Sequence, residues 1–185
     1  MNRTAETALN KAMIRWSLSR ATLLEETPTS WVFKVEQDGR EAAVLKQLKP
    51  DVADDEELRG SALLAWYAGQ GAATVFDAAD GIVFMEWLDG GTLGDAVRAA
   101  RDDEATIALA SLVSELHQPR EAYPPPLQPL RFRFKALFDM KGNIWPQMSR
   151  DLLARSVGIA HKLFDKPAPS VPLHGDLHHD NVIAS

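Results

Sequence analysis

The chain has 185 residues, 45% hydrophobic and 25% charged, long enough to bury a real core as one generous domain or two small lobes. Its net charge of −6 argues against the basic surface on which general nucleic-acid binding relies, and the absence of cysteine excludes disulfides and thiolate metal sites. The N-terminus MNRTAETALNKAMIRWSLSR lacks an apolar signal core, and no apolar run approaches the roughly 20 residues a membrane helix needs, so a soluble cytoplasmic protein without membrane partners is expected.

Taken in chain order, residues 5–15 read as a short helix, followed by a strand candidate near 18–25. SWVFKVEQDGREAAVLKQL then carries two β-rich runs around Asp38-Gly39, a dipeptide suited to a two-residue hairpin turn because both positions tolerate positive φ. DVADDEELRGSALLAWYAGQG has acids in its first turn, apolar residues at Leu58, Ala62, Ala65 and Trp66, and glycines at its end, the pattern of an amphipathic helix with its stop signal. Two more strand candidates, ATVFDAA and GIVFMEW, turn at Asp80-Gly81, and LDGG then breaks the β pattern.

The second half reads as helical. Thr92 is a good N-cap, with Asp95 three residues on as a capping-box variant. A longer helix runs through DDEATIALASLVSELH, with Leu109, Leu112, Val113 and Leu116 on one face. Five prolines in residues 118–130 exclude helix and central strand, leaving an ordered surface connector that is not read as a domain boundary, because helical pattern resumes in RFRFKALFDM. A further helix covers 146–165, with Leu152, Ile159 and Leu163 expected to face inward. There is no internal repeat and no low-complexity tract.

Several features have plain structural readings. RFRFKALF mixes basic and aromatic residues, yet in an acidic chain Phe134 and Phe138, four apart on a helical face, point to core packing over RNA contact. The five tryptophans are scattered packing residues, DVADDEE is a solvated helix start, and His117 closes a helix, while His161 in mid-helix shows no partner.

The stretch LHGDLHHDNVIAS concentrates His174, Asp176, His178, His179, Asp180 and Asn181 within eight residues. A histidine-based metal centre is one reading, but Pro172 and Gly175 make this a loop, and no His-rich or acid-rich partner segment exists elsewhere. A structural loop is another. The third is a phosphotransfer loop, His-x-Asp followed five residues after the aspartate by Asn. Phosphoryl transfer needs a carboxylate to take the acceptor hydroxyl's proton and an oxygen ligand for Mg²⁺ beside it on one rigid loop. Asp176 and Asn181 suit those roles, with His174 anchoring the loop by side-chain hydrogen bonding.

The context agrees with this third reading. Lys46 lies on the second strand of the first hairpin, which the strand near 18–25 makes the third overall, and Glu57 or Glu56 opens the following helix as its acidic partner. Glu86, Trp87 and Leu88 form a hinge after the fifth strand, where backbone groups would pair with adenine. Strand-rich lobe, hinge, helical lobe and loop follow in that order.

On these residues the chain resembles the aminoglycoside phosphotransferase family of the protein-kinase-like superfamily, whose loop reads HGDxxxxN. LHGDLHHDNV, the block RGSALLAWYAGQGAATVFDAADGIVFMEWLDGGTL, and DDEATIALASLVSELH are similar to the streptomycin 6-kinase-like branch, also called the aminoglycoside/hydroxyurea resistance kinases, over about Trp31 to Ile183. The resemblance implies an α+β, two-lobed protein-kinase-like fold: residues 1–88 a nucleotide-binding lobe ending in the hinge, and 89–185 a partial helical lobe ending at the catalytic loop. It implies ATP-dependent, Mg²⁺-assisted phosphorylation of a small-molecule hydroxyl, with Asp176 as base, Asn181 as metal ligand and Lys46 on the phosphates. The acidic balance favours a cationic acceptor such as an aminoglycoside.

Two departures stand out. No G-x-G-x-x-G loop joins the first strands; the turn is EETPTSW, where Thr29 and Ser30 with their backbone N–H groups are expected to substitute. The metal-binding aspartate and lobe-closing helices that the family places after the loop have no counterpart before Ser185, so a truncated chain is expected, with an inactive nucleotide-binding or partner-binding module as the alternative function.

Overall fold

A computed structural model describes residues 3–37, 42–50, 55–140, 146–166 and 170–184. In chain order its elements are α1 (Arg3–Arg15), β1 (Leu18–Glu26), β2 (Ser30–Gln37), β3 (Ala43–Leu48), α2 (Asp55–Tyr67), β4 (Val75–Ala79), β5 (Ile82–Glu86), α3 (Leu93–Arg98), α4 (Asp102–Leu116), α5 (Leu130–Arg133), α6 (Lys135–Asp139), α7 (Gln147–Phe164) and a 3-10 helix (His179–Asn181). This is the α+β order that the sequence predicts. No described helix is long and apolar enough to cross a membrane.

The five strands form one antiparallel sheet in the order β1-β2-β3-β5-β4. Alternation along the strands gives the sheet two faces. Phe33 and Val35 of β2, Ala43 and Leu45 of β3, and Ile82 and Phe84 of β5 are buried together on one face. Helix α1, through Ala5 and Ala12, and Trp16 just after it cover that face, spaced as a helical stripe whose alanines let the helix approach closely. Trp16 stacks on Phe84 at 5.3 Å between centroids and donates its indole N–H to Asp77 at 2.9 Å. Gln47 donates from inside the core to the Ala5 carbonyl at 2.9 Å, fastening α1 to β3. Consequently Lys46, one residue from both Leu45 and Gln47, lies on the opposite face.

The β4–β5 hairpin turns at Asp80-Gly81, both with positive φ (53° and 74°), as predicted. The Asp38-Gly39 turn lies outside the described residues. In α2 the buried positions are Leu63 and Tyr67, whereas Leu58 is exposed and Ala62 and Ala65 face solvent. The apolar face expected from Leu58, Ala62 and Ala65 is therefore corrected: alanine tolerates either environment, and the larger Leu63 and Tyr67, one turn apart, decide which side packs. The helix ends in a run of left-handed backbone at Ala68 and Gly69. The α4 face through Leu109, Leu112, Val113 and Leu116 is sheltered as expected, with Leu116 fully buried.

Internal contacts divide the chain into two units, residues 1–125 with 172–185, and residues 126–171. The break falls inside the proline-rich connector, which the sequence marked as surface chain without a boundary. Prolines donate no backbone hydrogen bonds, and the connector forms no helix or strand.

Within the second unit, Phe134, Phe138 and Phe164 pack edge to face at 5.4 and 6.2 Å, and the Arg131 guanidinium lies over Phe138 and Phe164. His161 stacks at 4.8 Å on Phe138 and lies 3.4 Å from an Arg131 nitrogen, which gives it the partners that its sequence context did not show. Leu152, Ile159 and Leu163 are exposed at 64, 54 and 63%, against the expectation that they face inward. The helix carries two apolar stripes, and the one that packs runs through Leu153, Val157, Ala160 and Phe164, because Phe164 joins the aromatic cluster.

Candidate active site

Lys46 reaches Glu57 of α2 at 3.3 Å, both partly shielded. The strand fixes the lysine and the first turn of α2 delivers the carboxylate, so an ammonium is held in place on the open face of the sheet. Glu56, the alternative partner read from the sequence, has a side chain outside those described.

The catalytic-loop candidate is built by local hydrogen bonds. Asn181 donates its amide N–H₂ to the Asp176 carbonyl at 2.8 Å and to the Asp176 carboxylate at 3.2 Å. The two residues that the sequence pairs five apart are thus brought into contact. The Asp176 side chain remains 82% exposed, leaving its carboxylate open to a ligand. His174 Nδ1 accepts the Asp176 backbone N–H at 3.4 Å, which requires an unprotonated Nδ1. Partial desolvation of the imidazole lowers the His174 pKa from the ordinary histidine value; Asp176 opposes that shift, and His178 and Lys46 add to it.

His178, unexplained in the sequence, caps the 3-10 helix: its Nδ1 accepts the Asp180 N–H at 3.3 Å, and its carbonyl accepts the Asn181 N–H at 3.0 Å. His179 keeps its Nε2 buried without a hydrogen-bond partner.

The loop is fastened to the segment that follows β5. Leu93 donates to the Val182 carbonyl at 2.9 Å, Ala184 donates to the Gly91 carbonyl at 3.0 Å, and Thr92 bridges Ile183. Val182 packs on the small cluster of Leu93, Ala96 and Ala105. Gly90 is needed for this pairing, since a Cβ there would collide with the Ala184 carbonyl. The predicted capping box is complete: Thr92 Oγ1 accepts the Asp95 N–H at 3.0 Å and Asp95 accepts the Thr92 N–H at 2.8 Å. Hydrogen bonds from Arg98 and then Thr92 hold the Asp95 carboxyl down at about 2.

The remaining predicted residues are placed as follows. In the β1–β2 turn, Thr27 is the organiser that the sequence did not reveal. Its Oγ1 accepts the N–H groups of Thr29 (3.3 Å) and Ser30 (2.9 Å) and meets the Ser30 hydroxyl at 3.0 Å. Ser30 is buried, so these groups turn inward to Thr27. At the hinge, Glu86 donates its N–H to the Thr74 carbonyl at 2.9 Å and accepts the Thr74 N–H on its carboxylate, closing the sheet edge. Trp87 carries Lys34 over its ring at 3.9 Å and donates its indole N–H to Asp89. Among the described residues, no backbone hydrogen bond engages Trp87 or Leu88.

As for a cation, no group of three or more His, Asp or Glu among the described residues forms a self-sufficient metal site. The donor set nonetheless suits a hard ion shared with a phosphate-bearing substrate, since Asn181 spends its N–H₂ on Asp176 and keeps Oδ1 for a ligand, next to an exposed carboxylate.

The sequence also has relatives among known proteins. A family model described as aminoglycoside/hydroxyurea antibiotic resistance kinase matches residues 15–185. A streptomycin 3''-kinase of Klebsiella pneumoniae is 39% identical over 172 residues, covering 92% of this chain and 60% of the relative. The chain thus spans about three-fifths of the length of that curated protein.

Proposed function

We propose that this chain, which belongs to the aminoglycoside/hydroxyurea antibiotic resistance kinase family, transfers the terminal phosphoryl group of ATP to a hydroxyl of a streptomycin-like aminoglycoside in the cytoplasm. The observation that carries the reading is the Asp176–Asn181 contact on a loop fastened to the segment after β5; a Lys46 held by Glu57 supports it.

In this reading Asp176 takes the proton from the acceptor hydroxyl as its oxygen attacks the terminal phosphorus, and the bond to the ADP oxygen breaks. Lys46 neutralises phosphate charge, and Glu57 keeps the ammonium from swinging away. Trp87 and Leu88 offer backbone groups to adenine, while Glu86 closes the sheet behind them. Thr29 lies beside the phosphates, and Ser30 supports the turn from within. Asn181 Oδ1, with the phosphate oxygens, would hold Mg²⁺, which supplies charge neutralisation on the transferring group. His174 keeps the Asp176 amide in register as a neutral ring.

The exposed Asp176 and the net charge of −6 favour a cationic acceptor. The sequence resemblance points to the 6-hydroxyl branch, whereas the matched relative is named for the 3''-hydroxyl. Incubating the chain with ATP, Mg²⁺ and streptomycin, then mapping any phosphate by mass spectrometry and NMR, tests both points. A phosphorylated product supports transfer and its position names the branch. Nucleotide binding without product in a broad aminoglycoside panel would contradict transfer and favour a binding module.

A further inference from the structure

The Asp180 carboxylate has no role in the chemistry above, yet it occupies a prepared place. Arg98, the last residue of α3, donates to Asp180 at 2.9 Å and to Asp95 at 2.8 Å, and lies 3.5 Å from Thr92 Oγ1. One guanidinium therefore joins the N-terminal cap of α3 to the residue before Asn181. Gly94, in the first turn of α3, is the matching cavity: a Cβ built there would fall on the Asp180 carboxylate. A glycine inside a helix is otherwise unfavourable, since alanine is the better helix former. Backbone links fix Val182 and Ala184, but they lie beyond Asn181; on its other side, among the described residues, Asp180 meets α3 through Arg98 and the space at Gly94.

We propose that Gly94, Arg98 and Asp180 form a clamp that sets the register of the 3-10 helix, making them positioning residues for Asp176 and Asn181. The proposal rests on the phosphotransfer reading for its kinetic consequence, but the clamp itself is testable without turnover. Arg98 and Asp180 are more than half exposed, so their loss leaves the fold intact, and a surface pair of this kind contributes little to global stability. The effect is geometric, because a displacement of about 1 Å at a reacting group costs on the order of a hundredfold in rate.

The experiment compares Arg98→Ala, Asp180→Ala, Gly94→Ala, Arg98→Lys and the paired variants. In wild type the Asp180 and Asn181 amides bond to His178 and the Leu93 amide to Val182. Hydrogen exchange should accelerate at Asp180 and Asn181 in each alanine variant and stay unchanged at Leu93, with the melting midpoint near wild type. The Arg98→Ala/Asp180→Ala pair should be no worse than either single change, as expected of two residues acting as one unit. Gly94→Ala should have little further effect once Asp180 is alanine, because the carboxylate that its methyl would strike is gone and only the end of the Arg98 side chain, 3.2 Å away, must shift.

With ATP and streptomycin, kcat should fall about ten- to a hundredfold with KM for ATP nearly unchanged, and Arg98→Lys should recover part of the loss. Unchanged exchange at Asp180 and Asn181, or additive effects in the double variants, overturns the clamp. If wild type shows no turnover, the phosphotransfer reading fails and exchange alone still decides the clamp.

Discussion

The two halves of the candidate site are built in different ways. Lys46 stands on a strand whose neighbours Leu45 and Gln47 are buried at 0 and 2% exposure, so its position is inherited from a packed core. Asp176 stands on a loop whose side chains are largely exposed, and its position comes from a handful of hydrogen bonds to His174, Asn181 and the segment after the hinge. The contrast teaches where damage will appear. Core substitutions near Lys46 should act on the amount of folded protein, and loop substitutions on the rate per folded molecule.

The largest effect expected on stability is at Phe84, buried between Trp16 and Phe76. Phe84→Ala should destabilise by about 3–5 kcal/mol in denaturant unfolding, a large part of the stability of an ordinary domain. Activity per folded molecule should change little; a proportionate loss in the specific rate would break the comparison from the sheet side.

A smaller effect follows at Lys46. Lys46→Ala removes the proposed charge-assisted partner of the phosphates, an interaction worth about 1.5–3 kcal/mol, so ATP affinity measured by calorimetry should fall roughly ten- to a hundredfold. The melting midpoint should stay close to wild type, because the Lys46–Glu57 pair is only partly buried. Unaltered ATP affinity would remove Lys46 from the site.

The smallest effect is the pH response of the loop. His174 has its pKa lowered in the folded chain, so folding favours the neutral ring. Above the unfolded value near 6.5 both states are neutral and the contribution is complete; as pH falls below 6.5 the unfolded chain takes up the proton first, and the contribution is lost through the lowered folded pKa. Melting midpoints between pH 7.5 and 5 should therefore drop more steeply in wild type than in His174→Asn. Parallel curves would show that His174 carries no such linkage.

How much of this was legible beforehand follows the same division. Strand alternation exposed the sheet, and Asp80-Gly81 and the Thr92–Asp95 box were readable because each is a local device of a few residues. The Asp176–Asn181 contact was readable because the phosphotransfer chemistry proposed for the pair demands a fixed spacing on one loop. The inward stripe of α7 was not, since two apolar stripes satisfy the same period and only the position of Phe164 among Phe134 and Phe138 selects one. Nor was the link from Arg98 to Asp180, which are 82 residues apart. A glycine in the first turn of a capped helix was the available hint. Thr27 was hidden for another reason: its neighbours Thr29 and Ser30 carry the same hydroxyl, and only the turn geometry decides which oxygen collects the amides.

The central claim is that Asp176 acts on the acceptor hydroxyl and not on nucleotide binding. The direct test measures kcat with streptomycin and Kd for ATP on the same preparations of wild type and Asp176→Asn. Loss of a general base predicts a fall in kcat of roughly a hundred- to ten-thousandfold, with Kd for ATP within about twofold. Equal kcat in the two proteins would contradict the account, whatever the geometry of the loop.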